Sequence, residues 1–360
     1  MTDFSVPVLM ALLGLLGGGV MGYTARTARF CTFGAIEDAR ICGDFRRLRS
    51  WALAVVVAII TTWSLDFAGL IDIRQAIHLR PELTWLSLII GGLVFGFGMA
   101  QVGTCPFGAL VRAGTGDMRA LVVLIVIGII GYMTMRGITA LARVAFLDSV
   151  HHDFDARGLQ SIPALLGITG ETGLFIAALI IAALLLGWVV KSPEFRASRR
   201  AILAGLIIGF CVAGGWFATG YLGNDEFDPQ AVLSFSYISS VANSLIYLMT
   251  YSGATISFAV GATGGVLLGS CLASLIKQEF KLEAFDDGRE MRRYLIGAAL
   301  MGFGGITALG CTVGQGITGL STLSIGSVIA TASIGIGAVF GLHYLLEDDL
   351  KEAVSAFFRT

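Results

Sequence analysis

Apolar residues in this chain fall in long runs, and the charged positions are swept into the gaps between them. A hydrocarbon core of about 30 Å is crossed by roughly 20 mostly apolar residues in a helix. Nine stretches approach that length: 6–23, 51–70, 84–101, 120–140, 172–190, 201–220, 253–276, 294–310 and 323–342. Two others, 24–36 and 231–250, predict short helices too interrupted or too polar to cross. Near the end Leu346, Leu350, Val354 and Phe357 recur at helical spacing against Glu347, Asp348, Asp349 and Glu352. That pattern predicts an amphipathic tail over 343–360 lying on the membrane surface. The expected fold is an all-α polytopic membrane protein of about nine transmembrane helices, with short broken or re-entrant helices between them.

Charge in the gaps sets the orientation, because Lys and Arg collect on the cytoplasmic side. Loop 24–50 holds Arg26, Arg29, Arg40, Arg46, Arg47 and Arg49; loop 191–200 holds Lys191, Arg196, Arg199 and Arg200; loop 277–293 holds Lys277, Lys281, Arg289, Arg292 and Arg293. With the N-terminus outside, all three loops and the C-terminus are cytoplasmic. Loop 141–171, with His151 and His152, then lies outside as a solvated segment.

One of the apolar runs breaks in an informative way. Residues 91–119 begin as a glycine-laced span and run into Cys105, followed by Pro106, Gly108, Gly114 and Gly116. Proline removes a backbone donor and clashes with the preceding turn, so regular helix should stop near Thr104–Pro106. Inside a bilayer, broken backbone is tolerated where protein buries it or where it lines a cavity; the break predicts a cavity with Cys105 at its wall. The same text returns later: FGFGMAQVGTCPFG over 95–108 matches MGFGGITALGCTVG over 301–314, so Cys105 and Gly108 coincide with Cys311 and Gly314. Cys31 and Gly34 form a third copy, and Cys211 and Gly214 a fainter one. Glycine fills 48 of 360 positions, so it should follow a cysteine at this spacing about one time in seven, yet four of the six cysteines have it.

Under the loop-charge orientation the span before Cys105 runs inward and the span before Cys311 runs outward. Opposed copies of one motif predict an inverted repeat with its site near the midplane. The halves are 1–140 and 200–342, joined by 141–199. Helix ends at the breaks expose N–H groups that attract anions. Glycine permits positive φ and close approach, and a thiol is a soft, weak S–H donor. Cys31, Cys105 and Cys311, with Gly34, Gly108 and Gly314, therefore predict a path for a large, soft, sulfur-containing anion. Phosphate or carboxylate would call for arginine clamps. Helix N-termini, helped by Arg74, Arg80 or Arg143, would supply the positive outer approach. Cys42 and Cys271 read as small core residues, and Cys211 sits inside a continuous span. The runs 17–19, 214–215 and 264–265 read as helix-packing glycines, and Arg26, Arg29, Arg112 and Arg119 as positive-inside anchors.

Composition narrows the classes further. At 56% hydrophobic and 14% charged, this is no soluble globular chain, where charged residues make up about 25%. A net charge of −1 with no basic domain excludes nucleic-acid binding. The cysteines show neither CxxC spacing nor histidine partners, which argues against a metal or a disulfide framework. No cofactor is expected. Residues 1–22 lack a basic n-region and read as a retained first span.

With FCTFG around Cys31, GTCPFG around Cys105 and GCTVGQG around Cys311, the chain resembles the YeeE/YedE family, taken to import thiosulfate into bacterial cells. The resemblance covers essentially the whole chain. It implies an hourglass-shaped body with inverted halves in the bacterial inner membrane. It implies a central path on which three cysteines, here Cys31, Cys105 and Cys311, contact the anion in turn. It also implies a cytoplasmic sulfur-carrier partner of the sulfurtransferase type. The expected function is thus a permease, not an enzyme, carrying thiosulfate or a similar anion without a covalent step. The alternatives are a membrane thiol–disulfide redox protein and a scaffolding subunit. A redox protein usually needs a CxxC partner, which is absent here, and a scaffold has no use for broken helices.

Overall fold

The computed structural model describes residues 5–156, 159–168, 170–224 and 231–347. Among them, eight helices are long and apolar enough to cross a membrane. The first half carries α1 (Val6–Ala28), α2 (Thr32–Glu37), α3 (Arg46–Phe67), α4 (Trp85–Val102), α5 (Pro106–Gly114) and α6 (Met118–Arg136). After α7 (Glu171–Val190) come α8 (Arg199–Phe217), α9 (Tyr237–Met249), α10 (Phe258–Ile276), α11 (Gly288–Thr307), a π-helical turn Gly314–Gly319, and α12 (Ile325–Glu347). The expected span 294–310 falls in α11, whose first turns carry Arg289, Glu290, Arg292 and Arg293. Only its later part is apolar, so packing rather than composition holds it in the body. The expected tail lies mostly outside the described residues.

Local chemistry explains where these helices begin. Pro7 sits in the first turn of α1, where a missing N–H costs nothing. Asp117 caps α6 by accepting from the Arg119 N–H, and Asp287 caps α11 by accepting from the Glu290 N–H.

Glycine then sets how close the helices come. Gly14, Gly18 and Gly22 form a ladder on α1 facing α10; a Cβ at Gly18 would stand 2.3 Å from the Ala262 carbonyl oxygen. Only a residue without a side chain fits there, the small-residue packing that replaces hydrophobic drive between membrane helices. The contact of α4 with α11 is antiparallel: Gly91 faces Gly304 and Ala308, while Gly98 faces Gly297 and Met301.

The neighbours follow a pattern. Helix α1 packs on α10, and α8 on α3; α4 packs on α12, and α11 on α6. Likewise α9 lies against α6 and α10, as α2 lies against α12 and α3. Helix α5 contacts α10 and α6, and the Gly314–Gly319 turn contacts α3 and α12. Exchanging α1 with α8, α2 with α9, α3 with α10, α4 with α11, α5 with the turn and α6 with α12 maps each of these contacts onto another.

The three basic loops meet on one face, where Arg26 pairs with Glu279 at 2.9 Å and Arg119 binds both Glu283 and Glu290. On the opposite face a short antiparallel ladder joins Glu82–Leu83 to His152–Asp153 and ties the 68–84 segment to the loop after α6.

Candidate functional site

Cys31, Cys105 and Cys311 share one backbone arrangement. Each is preceded, two residues earlier, by a left-handed residue that ends a long helix: Arg29 at φ 55, Gly103 at φ 73 and Leu309 at φ 58. The first and third ends are of the Schellman type, with the Phe30 N–H on the Ala25 carbonyl at 3.0 Å and the Gly310 N–H on the Gly305 carbonyl at 2.8 Å. The next turn then opens on the cysteine itself. The carbonyls of Cys31, Cys105 and Cys311 accept from the N–H groups of Ala35, Ala109 and Gln315 at 3.0, 2.8 and 2.7 Å. In the first two Cys-x-x-Gly motifs the cysteine is therefore the N-cap and the glycine the third helical residue, whereas Cys311 lies just before the π-helical turn that Gly314 opens. There the Gly314 N–H donates to the Cys311 Sγ at 3.5 Å.

This corrects two readings of the motif. Helix α4 ends at Gly103, and Pro106 opens α5 rather than terminating α4. Gly34, Gly108 and Gly314 do not have positive φ. Space accounts for two of them: a Cβ would stand 2.1 Å from Thr104 Oγ1 at Gly108 and 2.4 Å from Ser236 Oγ at Gly314, whereas at Gly34 it would first meet the movable end of Arg47. The fainter copy at Cys211 lies within continuous α8 and makes no break.

The three thiols come together. Cys31 and Cys311 both lie near enough to Cys105 to act on it electrostatically. Cys105 and Cys311 are buried, at 1% and 0% exposure, while Cys31 is half-buried. The Thr312 hydroxyl is buried within interacting reach of the Cys105 thiol and has no other partner among the described protein groups. Tyr237, fully buried, stands within electrostatic reach of Cys211 and Cys311, and its ring packs on Phe107 at 4.9 Å between centroids. These rings cover the break, so Cys105 is walled by protein rather than by the expected cavity.

Two cavities approach this cluster from opposite faces. One, of about 630 Å³, is lined by Arg80, Arg136, Arg143, Ser236, Leu309 and Thr318, so its floor is the Cys311 segment. Arg143 pairs with Asp148 at 2.6 Å, but Arg80 and Arg136 make no ion pair among the described residues. Arg74, expected to help here, lines a separate cavity and pairs with Glu171 at 3.3 Å. The second cavity, about 300 Å³, is lined by Cys31, Arg29, Trp51 and Arg200 on the basic face. At its rim the Arg46 guanidinium holds the Asp44 carboxyl below the usual carboxylate range. Trp51 also reaches the Cys311 segment, where a Cβ at Gly316 would stand 2.6 Å from its ring. Arg29 and Arg200 continue into a basic cavity of about 960 Å³ with Arg112, Lys277 and Lys281.

Tyr237, Thr312, Trp51 and Arg136 were not singled out by the residue pattern. Thr312 adjoins a motif cysteine, which is a usable signal; the other three reach the site through tertiary packing alone.

Membrane helices broken around a buried thiol cluster, between cavities on opposite faces, have the build of a multi-pass membrane transporter. The chain belongs to the sulphur-transport family, whose model matches residues 27–340, and is a transporter of sulfur compounds. It is 26% identical over 329 residues to the thiosulfate transporter TsuA of Escherichia coli (strain K12), covering 86% of this chain and 87% of that protein. It is 25% identical over 347 residues to the thiosulfate transporter TsuA of Spirochaeta thermophila, covering 91% and 97%.

Proposed function

We propose that this protein imports thiosulfate, or a similar sulfur-containing anion, across the bacterial inner membrane. The observation that carries the reading is the meeting of three Cys-x-x-Gly thiols between two cavities lined by arginines, of which Arg80, Arg136, Arg29 and Arg200 make no ion pair among the described residues. The names of the two relatives support the choice of substrate. The basic face is cytoplasmic, with the N-terminus outside and the C-terminus inside. The exchange of helix contacts between the first and second sets supports an inverted repeat with halves 1–140 and 200–342, and antiparallel α4 and α11 support its opposite sense.

Arg80 and Arg136 draw the anion into the outer cavity. The floor opens past Ser236 and Leu309, and the anion meets the Cys311 and Cys105 thiols, with the Thr312 hydroxyl as a further donor. Each thiol gives a weak S–H contact to the terminal sulfur or an oxygen, and no covalent bond forms. Cys31 is the last station, because it lines the inner cavity, and Arg29 and Arg200 receive the anion there. A cytoplasmic sulfur carrier of the sulfurtransferase type would take it up from the basic cavity beyond. Gly34, Gly108 and Gly314 keep the capped turns tight enough for an anion to approach.

Uptake of radiolabelled thiosulfate into cells lacking other sulfur importers tests the proposal. Accumulation dependent on this protein is expected. Unchanged uptake on its expression, with the protein folded in the membrane, overturns it.

A further inference from the structure

A void of about 20 Å³ lies behind the Cys311 turn, where the 68–84 segment meets the start of α12. Its lining includes His78, Gln315, Ser324 and Ser327, drawn from three separate parts of the chain. These residues are 7%, 1%, 0% and 1% exposed, respectively. Ser324 Oγ and Ser327 Oγ find no hydrogen-bond partner among the described protein groups, and neither do His78 Nδ1 and Gln315 Oε1, although the Gln315 amide lies close enough to act on the imidazole. Leaving a buried polar group unpaired costs about 1–3 kcal/mol, so four around one space call for an occupant. A Cβ at Gly319 would stand 2.4 Å from Ser327 Oγ and 2.8 Å from Gln315 Oε1, so these two oxygens lie close together beside Gly319.

We infer that this void binds one water molecule and that the water positions the Cys311 turn. A buried water needs roughly 10–15 Å³ and two to four polar partners, and both conditions are met. The donor set also fits: the serine hydroxyls and the imidazole can donate or accept, and the amide oxygen accepts. A hard cation takes oxygen ligands and would leave the imidazole nitrogen unused.

The structural consequence runs through Gln315. Its Nε2 donates to the Ala308 carbonyl at 2.7 Å and so closes the loop that contains Cys311. With Nε2 committed, Oε1 is the end by which the water fixes the side chain. The same water joins that staple to His78 on the outer segment and to the first turn of α12. Gln315, Ser324 and Ser327 are thus positioning residues for Cys311, whatever anion passes.

A high-resolution structure of the full chain in lipid should show one solvent peak within hydrogen-bond distance of Gln315 Oε1 and Ser327 Oγ. Ser327→Val fills the space. It should lower the melting midpoint and speed labelling of Cys311 by a small thiol reagent severalfold, leaving Cys31 labelling unchanged. Should that variant not fold, Ser324→Ala gives the same readouts with smaller effects. A raised midpoint with unchanged Cys311 labelling in Ser327→Val would mean a dry void and overturn the inference. Stabilisation of the natural protein by sodium over choline at equal ionic strength, lost in Ser327→Val, would mean a cation and overturn it equally.

Discussion

The Gly314 backbone N–H donates to the Cys311 sulfur at 3.5 Å, so the thiol caps the turn that carries it. The sulfur acts as acceptor in that bond, and its own S–H proton stays free to point elsewhere. Serine is a stronger N-cap, whereas alanine forfeits the cap at about 1 kcal/mol. Cys311→Ser should therefore fold at least as well as the natural protein and yet transport poorly, since its oxygen is smaller, harder and better hydrated. Cys105→Ser should behave alike, and Cys42→Ala and Cys271→Ala should transport normally. Uptake normalised to folded protein in the membrane measures this; full uptake by Cys105→Ala and Cys311→Ala together rules out the thiol path.

Arg29 and Leu309 hold left-handed backbone at φ 55 and 58, where a side chain costs about 1–2 kcal/mol. Gly103 occupies the equivalent position before Cys105 without that cost. Leu309→Gly relieves the strain but also removes a side chain from the lining of the 630 Å³ cavity. The expected outcome is a higher melting midpoint together with leakier transport. A lower midpoint would show that packing of Leu309 outweighs its backbone strain.

Much of this site could be read from the residues, and the limits have physical causes. The spans were legible because lipid demands long apolar runs, and the Cys-x-x-Gly stations because the motif repeats. Span 294–310 was legible as a segment, although α11 needs its neighbours to stay in the body. The left-handed residues were hidden, since only one of the three is glycine. Tyr237 was hidden because α9 is too short and polar to read as part of a core, and it gains its burial from Phe107 and Phe235. Arg74 and Arg136 were indistinguishable in the sequence; ion pairing and cavity lining separate them only in three dimensions.

Arg80 and Arg136 line the 630 Å³ cavity and make no ion pair among the described residues, while Arg74 pairs with Asp72 and Glu171. Clefts lined by one sign of charge raise the association rate of the opposite charge, in a salt-dependent way. Arg80→Gln with Arg136→Gln should slow uptake at low thiosulfate and flatten its dependence on ionic strength, with the saturated rate less affected. Arg74→Gln should change neither. An unchanged salt dependence in the double variant would remove these arginines from the approach.

His78 gives the protein a pH dependence of defined sign. Burial, aided by the nearby Arg80 charge and only partly offset by the Gln315 amide, pulls its imidazole down to about 4. The Trp216 ring meets it edge-on at 6.5 Å, and Arg136, Arg143 and Glu82 line the spaces it borders. The folded state thus holds His78 neutral, whereas the unfolded chain protonates it near pH 6.5. Between those values the unfolded state binds more protons, so stability is fully present above about pH 6.5 and is lost as pH falls toward 4. The shift corresponds to a loss on the order of 3 kcal/mol. Melting midpoints in detergent should fall across that window, and His78→Gln, which keeps a hydrogen-bonding side chain without the titration, should flatten the curve. An equally steep fall in His78→Gln would assign the acid sensitivity to another group.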